Sequence, residues 1–224
     1  MTHCELILQG ISDGDMIGGP FAMASLVAKT LSNDPFDMDA LDQTYMDYYE
    51  SGSFDSGPTF EKVHELITQG KTRKEAVFQV HKLFHGSTAG CNPMHRFMVL
   101  AGLDNLSYEH LDSLFRREAK LTHYDPVAGL CSSVLARILK RCFSGLGLAD
   151  ATREVFLELS RNDRQAFKVL KGNGGYGPQV LISAIEFAGD QQFGLHRSIE
   201  FAEPNNYCPP VVGALINAQK AGKK

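Results

Sequence analysis

The sequence has no apolar run near the roughly 20 residues that a membrane-spanning helix needs, and no transmembrane segment is expected. The first ten residues, MTHCELILQG, carry no basic segment ahead of a long apolar stretch. They do not read as a secretory signal. There is no CxxC pair, and the five cysteines, Cys4, Cys91, Cys131, Cys142 and Cys208, are odd in number and widely scattered. That pattern argues against a disulfide framework and for reduced thiols in a cytoplasmic protein. A basic excess is missing as well. The formal net charge is −4, from 22 Lys+Arg against 26 Asp+Glu, so the phosphate backbone of a nucleic acid is not an expected partner. A small anion held by local donors remains compatible with this charge. Alternating apolar and polar residues joined by hairpin turns do not occur, which leaves little basis for a sheet.

What is present is helical. Hydrophobic residues make up 43% of 224, enough for one sizeable core or at most two small ones. FAMASLVAKTL (21–31) and TFEKVHELITQG (59–70) place apolar residues at helical spacing, the second stopping at a glycine. TRKEAVFQVHKLFHG (72–86) opens with Thr72 and Glu75 at capping-box spacing. YEHLDSLFRREAKLTH (108–123) is amphipathic and preceded by Ser107 as a cap. PVAGLCSSVLARILKRCF (126–143) starts on Pro126, a residue suited to the first helical position. Further helices are expected at 149–160, 163–171, 178–188 and 210–219, and ELILQG (5–10) fits either a helix or a strand. The connections are short, as in helix bundles. The predicted architecture is all-α, one compact multi-helix domain over residues 1–224.

The bends between helices hold more polar and glycine residues than turning requires. In SDGDMIGGP (12–20), Asp13 and Asp15 flank a glycine ahead of a helix; they suit a hard divalent cation, although helix capping is the simpler account from this stretch alone. In GSFDSGPTF (52–60), Asp55 fits an Asx turn or a cap, with a catalytic carboxylate as the other reading. HGSTAGCNPMHR (85–96) crowds Ser87, Thr88, Asn92, His95 and Arg96 around glycines and a proline. Backbone N–H groups entering a helix there suit a phosphate, and Arg96 could add a bidentate contact. A polar loop satisfying its own backbone is the alternative. KGNGGYGP (171–178) surrounds Tyr176 with glycines, among them Gly174 and Gly175. Such a loop admits a ligand close to the backbone and offers an aromatic face to a base; it also reads as a plain flexible turn. LTHYDP (121–126) puts His123, Tyr124 and Asp125 together before Pro126. Asp125 is a good helix cap and His123 can meet the end of the preceding helix.

In this order the bends resemble the ADP-ribosylglycohydrolase family, and within it the branch containing the J1 crystallins of jellyfish lenses. The matching stretches are DGDMIGGP, FDSGPTF, TAGCNPMHR, EAKLTHYDP, GGYGP and FAEPNNYCPPVVGAL, which span about residues 12–217. The resemblance implies a compact all-α fold and a cleft for ADP-ribose. In active members it also implies cleavage of the N- or O-glycosidic bond between ADP-ribose and a protein side chain or small acceptor, assisted by two magnesium ions. It places Asp13 and Asp15 on the N-terminal metal cluster, or alternatively on an earlier glycine–aspartate helix motif that leaves no such cluster. The C-terminal metal cluster falls at 204–207, which reads Pro204, Asn205, Asn206, Tyr207. Both expected carboxylates are absent, with Asn206 and Glu203 the available substitutes. A hard cation depends on charged oxygen ligands, so the resemblance leaves two expectations open. One is a hydrolase in which Asp55 activates water or aids the leaving group and Asp125, with His123, orients the substrate. The Asn92–Arg96 bend would then hold the diphosphate and Tyr176 would stack on adenine. The other is a member that binds ADP-ribose without cutting it, or that is only structural, as lens crystallins are.

Overall fold

The computed structural model describes residues 1–30, 37–205 and 207–223. Among these the chain forms thirteen α-helices, one 3-10 helix and no strand. In order they are α1 (His3–Gly14), α2 (Gly19–Thr30), α3 (Met38–Glu50), α4 (Pro58–Thr68), α5 (Arg73–Leu83), α6 (Asn92–Phe97), the 3-10 helix Met98–Gly102, and α7 (Tyr108–Ala119). Then follow α8 (Pro126–Phe143), α9 (Leu148–Glu158), α10 (Arg161–Ala166), α11 (Gly177–Ala188), α12 (Gly194–Ala202) and α13 (Pro209–Gly222). The ambiguous ELILQG stretch is helical because Thr2 and Glu5 close a capping box at its start.

α8 is the axis of the molecule. It packs against α6, α7, α9, α11 and α13, and its apolar residues, from Leu130 through Val134 and Leu135 to Leu139, are buried along its length. α1 and α13 form the most extensive helix pair. They touch backbone to backbone: a Cβ placed on Gly213 would lie 1.9 Å from the carbonyl oxygen of Gly10, and one on Gly14 would lie 2.1 Å from that of Pro209. α4 and α5 form an outlying hairpin with its own small core of Val63, Leu66, Ala76, Val77 and Val80.

Local chemistry sets most helix starts. Thr72 and Glu75 form the expected capping box, Ser107 accepts from the His110 amide, and Asp125 accepts from the Val127 amide at 2.9 Å. Four helices differ. α4, α6, α11 and α13 each carry proline at the first or second position and have no side-chain cap. Proline removes an orphan amide from the first turn; at α13 two prolines do so and the amides of Val211 and Val212 are met by the Cys208 carbonyl, while the Gly177 amide of α11 is met by that of Ala89. Their starting residues lie together on one side of the molecule, at the site described next.

Candidate functional site

Hydrogen bonds tie distant bends into a ring. Asn92 Nδ2 donates to the Ser56 carbonyl at 2.7 Å, joining the 52–60 and 85–96 bends. The Cys91 amide donates to the Gly175 carbonyl at 3.0 Å, and the Gly177 amide to that of Ala89 at 2.8 Å. These two bonds make the short antiparallel bridge of Gly90 with Tyr176. The Asp125 amide donates to Thr88 Oγ1 at 3.3 Å. His95 Nε2 donates to the Tyr207 carbonyl at 2.6 Å. Asn205 Nδ2 reaches the Asn173 carbonyl at 3.4 Å. Gly19 packs on Asp55 so closely that a Cβ there would lie 2.6 Å from the Asp55 Cβ.

The ring encloses a cavity of about 740 Å³, within the roughly 300–1,000 Å³ usual for small-molecule sites. Asp55, Ser87, Asn92, His95, Asp125, Gly175, Tyr176 and Asn205 all line it. So do Gly57 and Pro58 at the start of α4, Cys91 at that of α6 and Tyr207 just ahead of α13. The first turns of α4 and α6 therefore face one hollow, and their amides favour negative charge there. Among the described residues on the wall, Asp55 and Asp125 are the charged side chains when His95 is neutral. Burial keeps it so, lowering its pKa to about 4.

Asp55 stands out among these residues. Its backbone has φ +50°, in the left-handed region. Among the described residues no hydrogen bond or ion pair to its carboxylate is found, so the expected Asx turn or cap is not formed and Gly57 occupies the cap position of α4. Desolvation, and then the charge of Asp15, raises its pKa. Asp55 is solvent-exposed, and a carboxylate with a raised pKa at the mouth of a cavity is suited to moving a proton.

Other expected site residues are placed differently. Arg96 does not reach the cavity. It is 1% exposed, its Nε donates to Glu118 Oε1 at 2.5 Å, and its guanidinium lies 4.5 Å from the Tyr45 ring centre. It is a core ion pair, not a diphosphate clamp. His123 is buried beneath Gly90 and is not on the wall of this hollow; it lines a small pocket of about 120 Å³ between the end of α7 and the start of α8. Tyr124 turns outward, half exposed, against the rings of Phe78 and His81. Gly174 is open to solvent and off the wall, whereas a Cβ on Gly175 would meet the Tyr207 ring at 3.1 Å. Asn206 lies outside the described residues. The sequence reading passed over Ile17, Gly57, Thr59, Cys91 and Tyr207 as lining residues. All five lie inside the matching stretches DGDMIGGP, FDSGPTF, TAGCNPMHR and FAEPNNYCPPVVGAL, which is the signal that could have indicated them.

No family model matches the sequence, and no curated protein matches it. A search of solved structures does find a match. A structure described as an ADP-ribosylglycohydrolase-related protein complex superposes with a TM-score of 0.75 at 18% identity, covering 97% of this chain and 87% of the other. The chain has the ADP-ribosylglycohydrolase fold.

Magnesium, implied by the resemblance to ADP-ribosylglycohydrolases, finds a poor donor set in this example of the fold. Asp13 is exposed and accepts from Gln9 Nε2 at 2.7 Å. Asp15 caps α2, its two oxygens accepting from the amides of Ile17, Gly18 and Phe21. Among the described residues no group of three or more His, Cys, Asp or Glu is placed to hold a metal ion. Neither are Asp13 and Asp15 brought together as a pair facing the cavity.

Proposed function

We propose that the cavity binds the ADP-ribosyl group and that Asp55 promotes cleavage of its glycosidic bond to an acceptor. The observation that carries this reading is Asp55 itself, unpaired and at positive φ on the wall of a hollow large enough for a nucleotide sugar. The start of α4, which has no side-chain cap and puts Gly57, Pro58 and Thr59 on the same wall, offers its first amides to a diphosphate. The aromatic face of Tyr176, 41% exposed, is available to adenine. Glycosidic cleavage passes through an oxocarbenium-like state. Asp55 as the carboxylate stabilises that charge, takes a proton from the attacking water and passes it to the departing acceptor atom, so that the water's oxygen ends on the ribose and its proton on the acceptor. Asp125, fixed as the cap of α8, lines the same hollow and orients the ribose. No step is assigned to magnesium, because the donors present do not fit it.

Incubation with peptides ADP-ribosylated on arginine or serine, with and without magnesium, tests the reading. Release of ADP-ribose by the wild type and its loss in Asp55→Asn support it. A second reading is favoured by the missing three-donor cluster: the chain binds ADP-ribose without cutting it, as a reader. Calorimetric binding with no turnover on any of these substrates would select that reading. No binding at all would leave only a structural, crystallin-like role.

A further inference from the structure

The bend that carries Asp55 is held on both sides from outside the cavity. Glu61 lies in the first turn of α4, yet no side chain caps that helix. Glu61 reaches back across the bend instead. Ser53 Oγ donates to Glu61 Oε1 at 2.8 Å, and the Ser56 hydroxyl donates to the same oxygen. Ser56 is 2% exposed, so little water competes for that bond. Tyr48, on α3, takes the residue between the two serines and Asp55. Its hydroxyl donates to the Phe54 carbonyl at 2.9 Å and accepts from the Phe54 amide at 3.3 Å. From α6, Asn92 Nδ2 donates to the Ser56 carbonyl at 2.7 Å. Gly57, at φ +82°, lies so close to that side chain that a Cβ would stand 2.8 Å from Asn92 Oδ1.

Residues 53, 54 and 56 are thus each tied to a helix, and Asp55 stands among them with its carboxylate outside every one of these bonds. Behind it is the bare backbone of α2: a Cβ on Gly19 would lie 2.9 Å from Asp55 Oδ2. Left-handed backbone is a minority conformation even for aspartate, and a residue keeps it where its surroundings are fixed. The ties on either side supply that fixity at φ +50°. A carboxylate that is bonded to nothing but anchored through its backbone has no hydrogen bond to break before it acts. It also gives up little freedom when a substrate arrives. Neither Glu61 nor Tyr48 lines the cavity, so neither is placed to touch a ligand there.

We propose that Glu61 and Tyr48 are positioning residues: from outside the cavity they fix the backbone on both sides of Asp55 and so aim its carboxylate at the bond to be cut. The aim rests on the ADP-ribosyl reading of the cavity; the fixing of the backbone does not.

Two measurements separate these halves. NMR relaxation of ¹⁵N-labelled free protein reads the backbone at Asp55 and Ser56. Wild type should show order parameters there near the rigid value of roughly 0.85, and Glu61→Ala should lower them toward about 0.6. Glu61→Gln, whose amide oxygen still accepts from both serines, should keep the wild-type value. Tyr48→Phe keeps the ring against Phe60 and loses only the hydroxyl. It should loosen Asp55 as well, and it serves should Glu61→Ala fold poorly. A mobile Asp55 in wild type, or one that stays as rigid in both Glu61→Ala and Tyr48→Phe, overturns the clamp. Turnover of peptides ADP-ribosylated on arginine or serine then reads the aim, below the melting temperature of every variant. Glu61→Ala and Tyr48→Phe should lower kcat by about ten- to a hundredfold, the effect of displacing a reacting group by about 1 Å, with KM little changed and Glu61→Gln restoring kcat. A merely structural role would lower the melting temperature and leave kcat of the folded protein as in wild type; that outcome overturns the positioning role. A raised KM at unchanged kcat does so too, because it marks lost binding. If wild type releases no ADP-ribose from any of these peptides, the aim falls with the reading of Asp55, whereas the clamp is still decided by relaxation of the free protein.

Discussion

A single side chain decides between the two functional readings. Asp55 is held in left-handed backbone, which asparagine tolerates at least as well as aspartate. Asp55→Asn is therefore expected to fold normally, to bind ADP-ribose, and to lose hydrolysis by two orders of magnitude or more, in the range of about 10²–10⁴ for an acid–base group. Its stability should also show a pH signature. The folded pKa of Asp55 is raised by burial and by Asp15, so ionising it costs the folded state. Stability is thus unpenalised in acid and falls as pH rises through the folded pKa. The asparagine variant removes that cost: urea melts should show it more stable than wild type at neutral pH, with the gap closing in acid. Arg96 gives the opposite case. It pairs with Glu118 in the core, both nearly unexposed. Arg96→Met strands a buried carboxylate and should lower stability by about 3–5 kcal/mol. The double variant Arg96→Met with Glu118→Leu should recover most of that loss. Were Arg96 instead a ligand clamp, the single variant would weaken ADP-ribose with little change in the urea midpoint.

Among the elements, the α1–α13 pair is the most sensitive to small changes. Gly10 and Gly213 meet with no room for a methyl group, and overpacking of a tight contact costs about 1–3 kcal/mol or more. Gly213→Ala should cost at least that in thermal melts, while Gly147→Ala, which meets nothing within 4 Å, should be near neutral. Nothing in the one-dimensional pattern announced this contact, because it depends on where two helices at opposite ends of the chain cross. The helices with apolar faces were legible: those at 21–31, 59–70, 72–86, 108–123 and 126–143 all appear, with ends shifted by a few residues. α3 was not, since its sequence is rich in acid and buries only Leu41 and Tyr45. α6 is too short to show a period, and the 163–171 segment stops at Ala166 because Phe167 leaves the helix to pack on Phe156. The site was legible as a set of bends but not residue by residue. Asp55, Asn92, Asp125 and Tyr176 do share a wall. Arg96 does not, because whether an arginine faces solvent, ligand or a buried glutamate depends on a partner 22 residues away in sequence.

At the scale of the whole molecule, the cavity is where separate parts of the chain are held to one another. Its wall takes residues from Ile17 near one end to Tyr207 near the other, and most cross-links in the ring are single hydrogen bonds. A ligand spanning that ring contacts groups that come together only in the folded chain. Binding then adds to stability by mass action, about 2.7 kcal/mol at a ligand concentration one hundred times Kd. For a domain of this size each kcal/mol raises Tm by roughly 2–4 °C, so saturating ADP-ribose should shift the melt upward by about 5–10 °C. Asp55→Asn should keep the shift, because binding does not need the proton transfer. Magnesium alone should produce none, since Asp13 and Asp15 are committed to Gln9 and to the amides of α2. A magnesium-dependent rise in Tm without nucleotide, lost in Asp15→Asn, would show that those donors rearrange around an ion and would return metal chemistry to this cavity. AMP and ribose 5-phosphate, each occupying part of the ring, should give smaller shifts than ADP-ribose, and the sum of their binding free energies should fall short of the whole, as expected when one tether joins two halves of a site.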